Sequence, residues 1–131
     1  MFLRDIYDSA LRILAESAGL SDNADYEERA PYLLAAFCNE AQSTDEALRR
    51  SLGLSPISEL DSTYIDLSEK FPLLPRFSTC AARYLAAMLI LDDNREISDI
   101  LYDKYCDAIS SICASISAVK ENIIDKYFGN I

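Results

Sequence analysis

An all-α bundle of four or five helices, with a long C-terminal helix and a short non-helical connection around residues 54–76, is the fold this sequence predicts. Two observations carry it. Apolar residues recur at spacings of three and four along most of the chain, and glycine and proline, which punctuate regular structure, number only three and four in 131 residues. Half of the residues are hydrophobic, so one domain of this length has enough apolar surface for a core of its own.

The first helix is expected over residues 3–18. Leu3, Ile6, Tyr7, Ala10, Ile13, Leu14 and Ala18 share one face, Asp8, Arg12 and Glu16 form a charge ladder on the other, and Gly19 ends the helix. A second helix starts near Asp25, where "DYEE" has a capping-box pattern with Asp25 at the N-cap and Glu28 three residues on. Its apolar face is Tyr26, Ala30, Leu33, Leu34, Phe37 and Ala41, and Pro31 is expected to kink it or delay its start. "STDE" at 43–46 repeats the capping pattern, so a separate short helix to about Leu52, stopped by Gly53, is expected next.

Residues 54–76 have no helical period. "TYIDL" reads as a short strand that offers Tyr64, Ile65 and Leu67 for packing, and a lone strand needs a partner, either a second segment here or another subunit. Phe71 and Leu74 precede prolines and are pushed towards extended backbone. From about Ser78 to Leu91 the chain is apolar nearly all round, with Arg83 as the interruption, which marks the central helix of a bundle; "DDNRE" breaks it. Over residues 98–128 one long helix is indicated: Ile97, Leu101, Tyr105, Ala108, Ile112, Ile116, Val119, Ile123 and Tyr127 step by four and three. Asp99, Asp103, Asp107, Ser110, Ser117, Glu121 and Asp125 gather on a second, separate stripe of that helix.

Charge narrows the function. A formal net charge of −10 and a pI near 4.3 repel a phosphate backbone, so direct nucleic-acid binding is not expected, whereas a basic partner or a surface that must not stick to DNA is. The N-terminal "MFLRDIYDSA" carries charges in every turn, unlike a signal peptide, and the longest uncharged apolar run, Tyr84 to Leu91, is too short to cross a membrane. A cytoplasmic protein is therefore expected.

No catalytic, cofactor or metal site is expected either. Histidine is absent, and there is no glycine-rich phosphate loop or nucleophile elbow. Cys38, Cys80, Cys106 and Cys113 form no CxxC pair and read as buried hydrophobes in a reducing compartment. The acidic stretches at 22–28 and 92–96 lack the calcium-loop pattern and its turn glycine. Two surfaces remain as candidates. One is the acidic stripe Asp99, Asp103, Asp107, Glu121 and Asp125, as a channel or partner face. The other is a subunit interface drawing on Phe71, Leu73, Leu74, Phe77, Tyr102 and Tyr105. "PLLPR" places its flanking cations one residue away from those of an SH3 ligand, so its apolar residues read first as a packed connector.

Three stretches taken together resemble the small helical head-to-tail connector, or tail-accessory, proteins of tailed bacteriophages. "LRDIYDSALRILAESAG" followed by "DYEERAPYLLAAFCNEAQ" resembles their opening helix pair. "FPLLPRFSTCAARYLAAMLI" resembles the segment in which an aliphatic-proline turn feeds an alanine-rich helix. "DILYDKYCDAISSI" resembles the charged, aromatic-containing helix that follows. The resemblance covers roughly two thirds of the chain. It implies a non-catalytic adaptor that assembles as a homo-oligomer beneath the portal, with phage portal and tail proteins as partners, first in the host cytoplasm and then in the virion. The alternative is an acidic helical binding module that inhibits a basic DNA-binding protein by mimicking phosphates.

Overall fold

A computed structural model describes residues 1–19 and 24–128, with side chains described except at Ala24 and at residues 117–128. Among these residues the chain forms four α-helices and no strand: α1 (Leu3–Ala18), α2 (Ala24–Ser51), α3 (Ser78–Ile90) and α4 (Arg95–Phe128), with a 3-10 turn at Pro75–Phe77 leading into α3. The all-α bundle and the long last helix are as the periodicity predicts.

Helix α3 is the centre. Cys80, Ala81, Ala82, Tyr84, Leu85, Ala86, Ala87, Leu89 and Ile90 are buried, and α1, α2 and α4 all pack on it. Its alanines let three neighbours approach closely, which explains why the helix is apolar nearly all round. Every one of its last four carbonyls, orphaned by the end of the helix, finds a donor. The Ser98 hydroxyl donates to Ala87 O at 2.8 Å. The Arg29 guanidinium donates to Met88 O at 3.1 Å and Leu89 O at 3.4 Å. The Asp93 and Asn94 amides donate to Ile90 O at 3.0 and 2.8 Å. Asn94 then caps α4, its Oδ1 accepting the Ile97 N–H at 3.1 Å.

Three local expectations are corrected. Pro31 does not delay α2, which begins at Ala24 and runs on through the proline. Asp25 lies in the first turn of α2, where it pairs with Arg29 at 3.4 Å, instead of capping it. Residues 43–46 do not start a new helix: α2 runs through them, because Asp45 turns inward and makes tertiary bonds. The end at Gly53 is as expected. Gly53 takes φ +73°, and the Gly53 and Leu54 amides bond back to Arg50 O and Arg49 O at 3.2 and 2.8 Å, a Schellman motif.

The connection between α2 and α3 contains no strand at "TYIDL". Its backbone is held instead by a row of side chains spaced three, three and four residues apart on α2. Asn39 Nδ2 donates to Ser62 O at 2.9 Å. The Gln42 amide donates to Ser58 O at 3.0 Å and accepts the Leu60 N–H at 2.8 Å. Asp45 Oδ1 accepts the Leu74 N–H at 2.8 Å, while its Oδ2 accepts from Arg49 Nε at 2.7 Å. The far side of the connection meets the N-terminus. Leu3 and Arg4 amides donate to Glu69 O and Leu67 O, both at 2.9 Å, and Phe71 N–H donates to Met1 O at 2.9 Å around a single antiparallel bridge between Phe2 and Lys70. The partner that a lone extended segment requires is thus the chain's own first residues.

Candidate interaction surface

Asp99, Asp103 and Asp107 are all exposed on α4, each one helical turn from the next, about 6 Å apart along the axis. No ion pair among the described residues neutralises them. Lys104 is exposed beside them. Glu121 and Asp125, the rest of the predicted stripe, lie outside the described side chains. The long amphipathic period of α4 is what puts the three aspartates on the face away from α3. Ser98 meets α3 at Ala87 and Ser115 meets Arg76 just ahead of α3 at 2.9 Å, so the two helices run antiparallel. At 1.5 Å per residue, α4 is about 51 Å long against about 20 Å for α3.

The candidate interface residues separate. Phe71, Leu73 and Phe77 are buried in the chain's own core and Leu74 is half-buried, so they are not available as an open docking surface. Pro72 and Pro75 orient them inward: the 3-10 turn begins on Pro75 and carries Phe77, fully buried, to the start of α3. Tyr105 is half-buried in an aromatic cluster, its ring centroid 5.4 Å from that of Tyr84, 6.0 Å from that of Phe37 and 5.4 Å from that of Tyr102. Burial, with the neighbouring Glu40 carboxylate adding to it, pushes the Tyr105 phenol up to about 12. Tyr102 alone of the six is exposed; Ile100 and Leu91 are exposed as well, with Ile100 and Tyr102 two positions apart on α4 and so on different sides of it. Exposed apolar side chains therefore flank the aspartates at the start of α4.

Sequence reasoning missed a second surface. Tyr32 on α2 and Tyr64 in the connection meet edge to face, centroids 5.0 Å apart, while remaining 57% and 44% exposed. Tyr32 falls off the apolar stripe of α2, and that was its signal. The groove they floor, about 620 Å³, is lined also by Glu27, Glu28 and Pro31. Burial and then the adjacent Asp66 carboxylate, which accepts from the Tyr64 hydroxyl at 3.5 Å, raise the Tyr64 phenol.

Among the described residues, no group of acidic and thiol side chains is arranged to hold a metal, and no helix is long and apolar enough to cross a membrane. The cysteines are all free: Cys38 and Cys80 are buried, Cys106 is half-buried and Cys113 is exposed. Neither a family model, nor a curated protein, nor a solved structure matches the chain.

Proposed function

We propose that the chain is a structural adaptor of the head-to-tail connector kind, self-associating beneath a phage portal and acting without catalysis. The observation that supports it is the start of α4: three unneutralised aspartates stand in a row, with exposed Ile100 and Tyr102 interleaved on a helix more than twice as long as the core helix beneath it. Exposed apolar residues on a long helix suit subunit contacts, and a carboxylate row suits a channel wall that DNA must pass without adhering.

Light scattering on a size-exclusion column, over a range of concentrations at low and high salt, tests this reading. Rings of many subunits that persist in high salt are expected, and the Ile100→Asp/Tyr102→Asp double variant should dissociate them. A monomer or dimer at every concentration, with or without purified portal protein, would overturn it. The same aspartates also fit a phosphate mimic. That second reading is favoured if the chain stays small and binds basic DNA-binding proteins in a strongly salt-dependent way.

A further inference from the structure

The groove at Tyr32 and Tyr64 has a different chemistry from the aspartate row. Large aromatic rings are usually withdrawn from water, yet these two are held in the open by several backbone contacts. The Ile65 N–H donates to Pro31 O at 3.3 Å, tying the connection to α2 between the two tyrosines. Ser62 Oγ donates to Tyr64 O at 2.6 Å and accepts the Tyr64 N–H at 3.2 Å, closing a tight turn just before the ring. Edge-to-face packing then fixes the rings against each other and leaves ring surface facing the groove.

The rim is acidic. Glu27 and Glu28 line the groove, and Asp66 and Glu69 stand near the Tyr64 phenol. Arg4 occupies Glu27 at 2.8 Å, but Glu28 is exposed and joins no ion pair among the described residues. Arg4 also shows which ligand this combination suits. Its guanidinium lies over the Tyr7 ring, 5.6 Å from the centroid, while bonding Glu27. A cation stacked on a tyrosine face with a glutamate at its edge is therefore already present beside the groove.

We propose that the Tyr32–Tyr64 groove docks an arginine side chain of a partner protein, the guanidinium stacking on a tyrosine ring and Glu28 accepting its hydrogen bonds. Arginine fits better than lysine because its planar, delocalised cation can stack and donate two parallel bonds at once. Docking of this kind is independent of the ring assembly proposed above, since Tyr32 and Tyr64 lie on α2 and the connection and the aspartate row lies on α4.

The test is an NMR titration of the full chain, its tyrosine rings isotope-labelled, with three capped tripeptides: Gly-Arg-Gly, Gly-Lys-Gly and Gly-citrulline-Gly. Citrulline keeps the shape of arginine without its charge. Saturable shifts of the Tyr32 and Tyr64 rings are expected with arginine, with an apparent affinity about threefold weaker for lysine and no saturation for citrulline. Glu28→Gln and Tyr32→Leu should each weaken arginine binding about threefold to fivefold, as a surface cation contact contributes that much. Both residues are exposed, so an unchanged spectrum elsewhere will verify the fold. Equal responses to arginine and citrulline, shifts confined to α4, or full affinity in Glu28→Gln would each overturn the proposal.

Discussion

Asp45 ties α2 to the connection that leads into α3, and its replacement by alanine gives the most informative perturbation. The side chain is fully buried, accepts the Leu74 N–H at 2.8 Å and pairs with Arg49 at 2.7 Å. Alanine leaves a part-buried backbone donor without its acceptor, a loss of about 1–3 kcal/mol. It also strands the Arg49 cation, whose side chain is 17% exposed. Breaking a buried pair costs about 3–5 kcal/mol. These two estimates overlap, and Arg49 retains some solvent and a long contact of 3.5 Å to Pro72 O, so the low end applies: about 3 kcal/mol in all. With a urea slope of about 1.5 kcal/mol/M, the unfolding midpoint should fall by about 2 M. Adding Arg49→Ala removes the stranded cation, so the double variant should be more stable than the sum of the singles predicts, by about 1–2 kcal/mol. Hydrogen exchange gives the local readout: the Leu74 amide should lose protection before the α3 amides do. A loss under about 1 kcal/mol, or strict additivity with Arg49→Ala, would refute the bridging role of Asp45.

Gly53→Ala should destabilise the chain by about 1 kcal/mol in the same urea assay, through the left-handed φ of +73° alone, since a Cβ there meets nothing within 4 Å. Alkaline stability follows from two groups that burial holds protonated: the Cys38 thiol is pushed up from 9.0 to about 12 and the Tyr105 phenol from 10.0 to about 12. The unfolded chain releases these protons first, so their contribution is complete below pH 9 and 10 respectively and disappears as pH climbs towards 12. Urea midpoints should therefore decline above pH 9, less steeply in Tyr105→Phe, and iodoacetamide at pH 8 should label Cys113 well before Cys38 or Cys80.

Much of this architecture was legible because it is periodic. The stripe Leu3, Ile6, Tyr7, Ala10 and Leu14 defines α1, and the all-round apolar character of Ser78–Ile90 marks the helix that three others cover. Local rules failed where a side chain serves a distant residue. Asp45 looks like part of a helix start at "STDE", yet its partner Leu74 is 29 residues away, and that contact keeps it inside α2. The same holds for "TYIDL": Ile65 and Leu67 are buried as their spacing suggests, but the amides of α1 take the backbone hydrogen bonds a strand partner would have made. At the candidate surfaces, the exposed aspartates were readable from one helix. Phe71, Leu73 and Phe77 looked eligible for an interface because sequence cannot tell which partner covers an apolar side chain. The Tyr32–Tyr64 pair joins residues 32 positions apart across an irregular segment, beyond the reach of any periodicity.

The start of α1 has a consequence for how the chain is made. Its first amides are capped by carbonyls of Leu67 and Glu69, and Met1 O waits for the amide of Phe71. On a ribosome adding about 5–20 residues per second, Leu3 and Arg4 join the chain roughly 3–13 s before the segment that completes α1 does. Until that segment and α3 have been added, the start of α1 lacks its backbone partners and its apolar face lacks its cover, so a helix made early is finished late. Birth order and completion order are reversed at this point of the chain, and the newly exposed stripe Leu3, Ile6, Tyr7 and Ala10 is where a chaperone would find its handle.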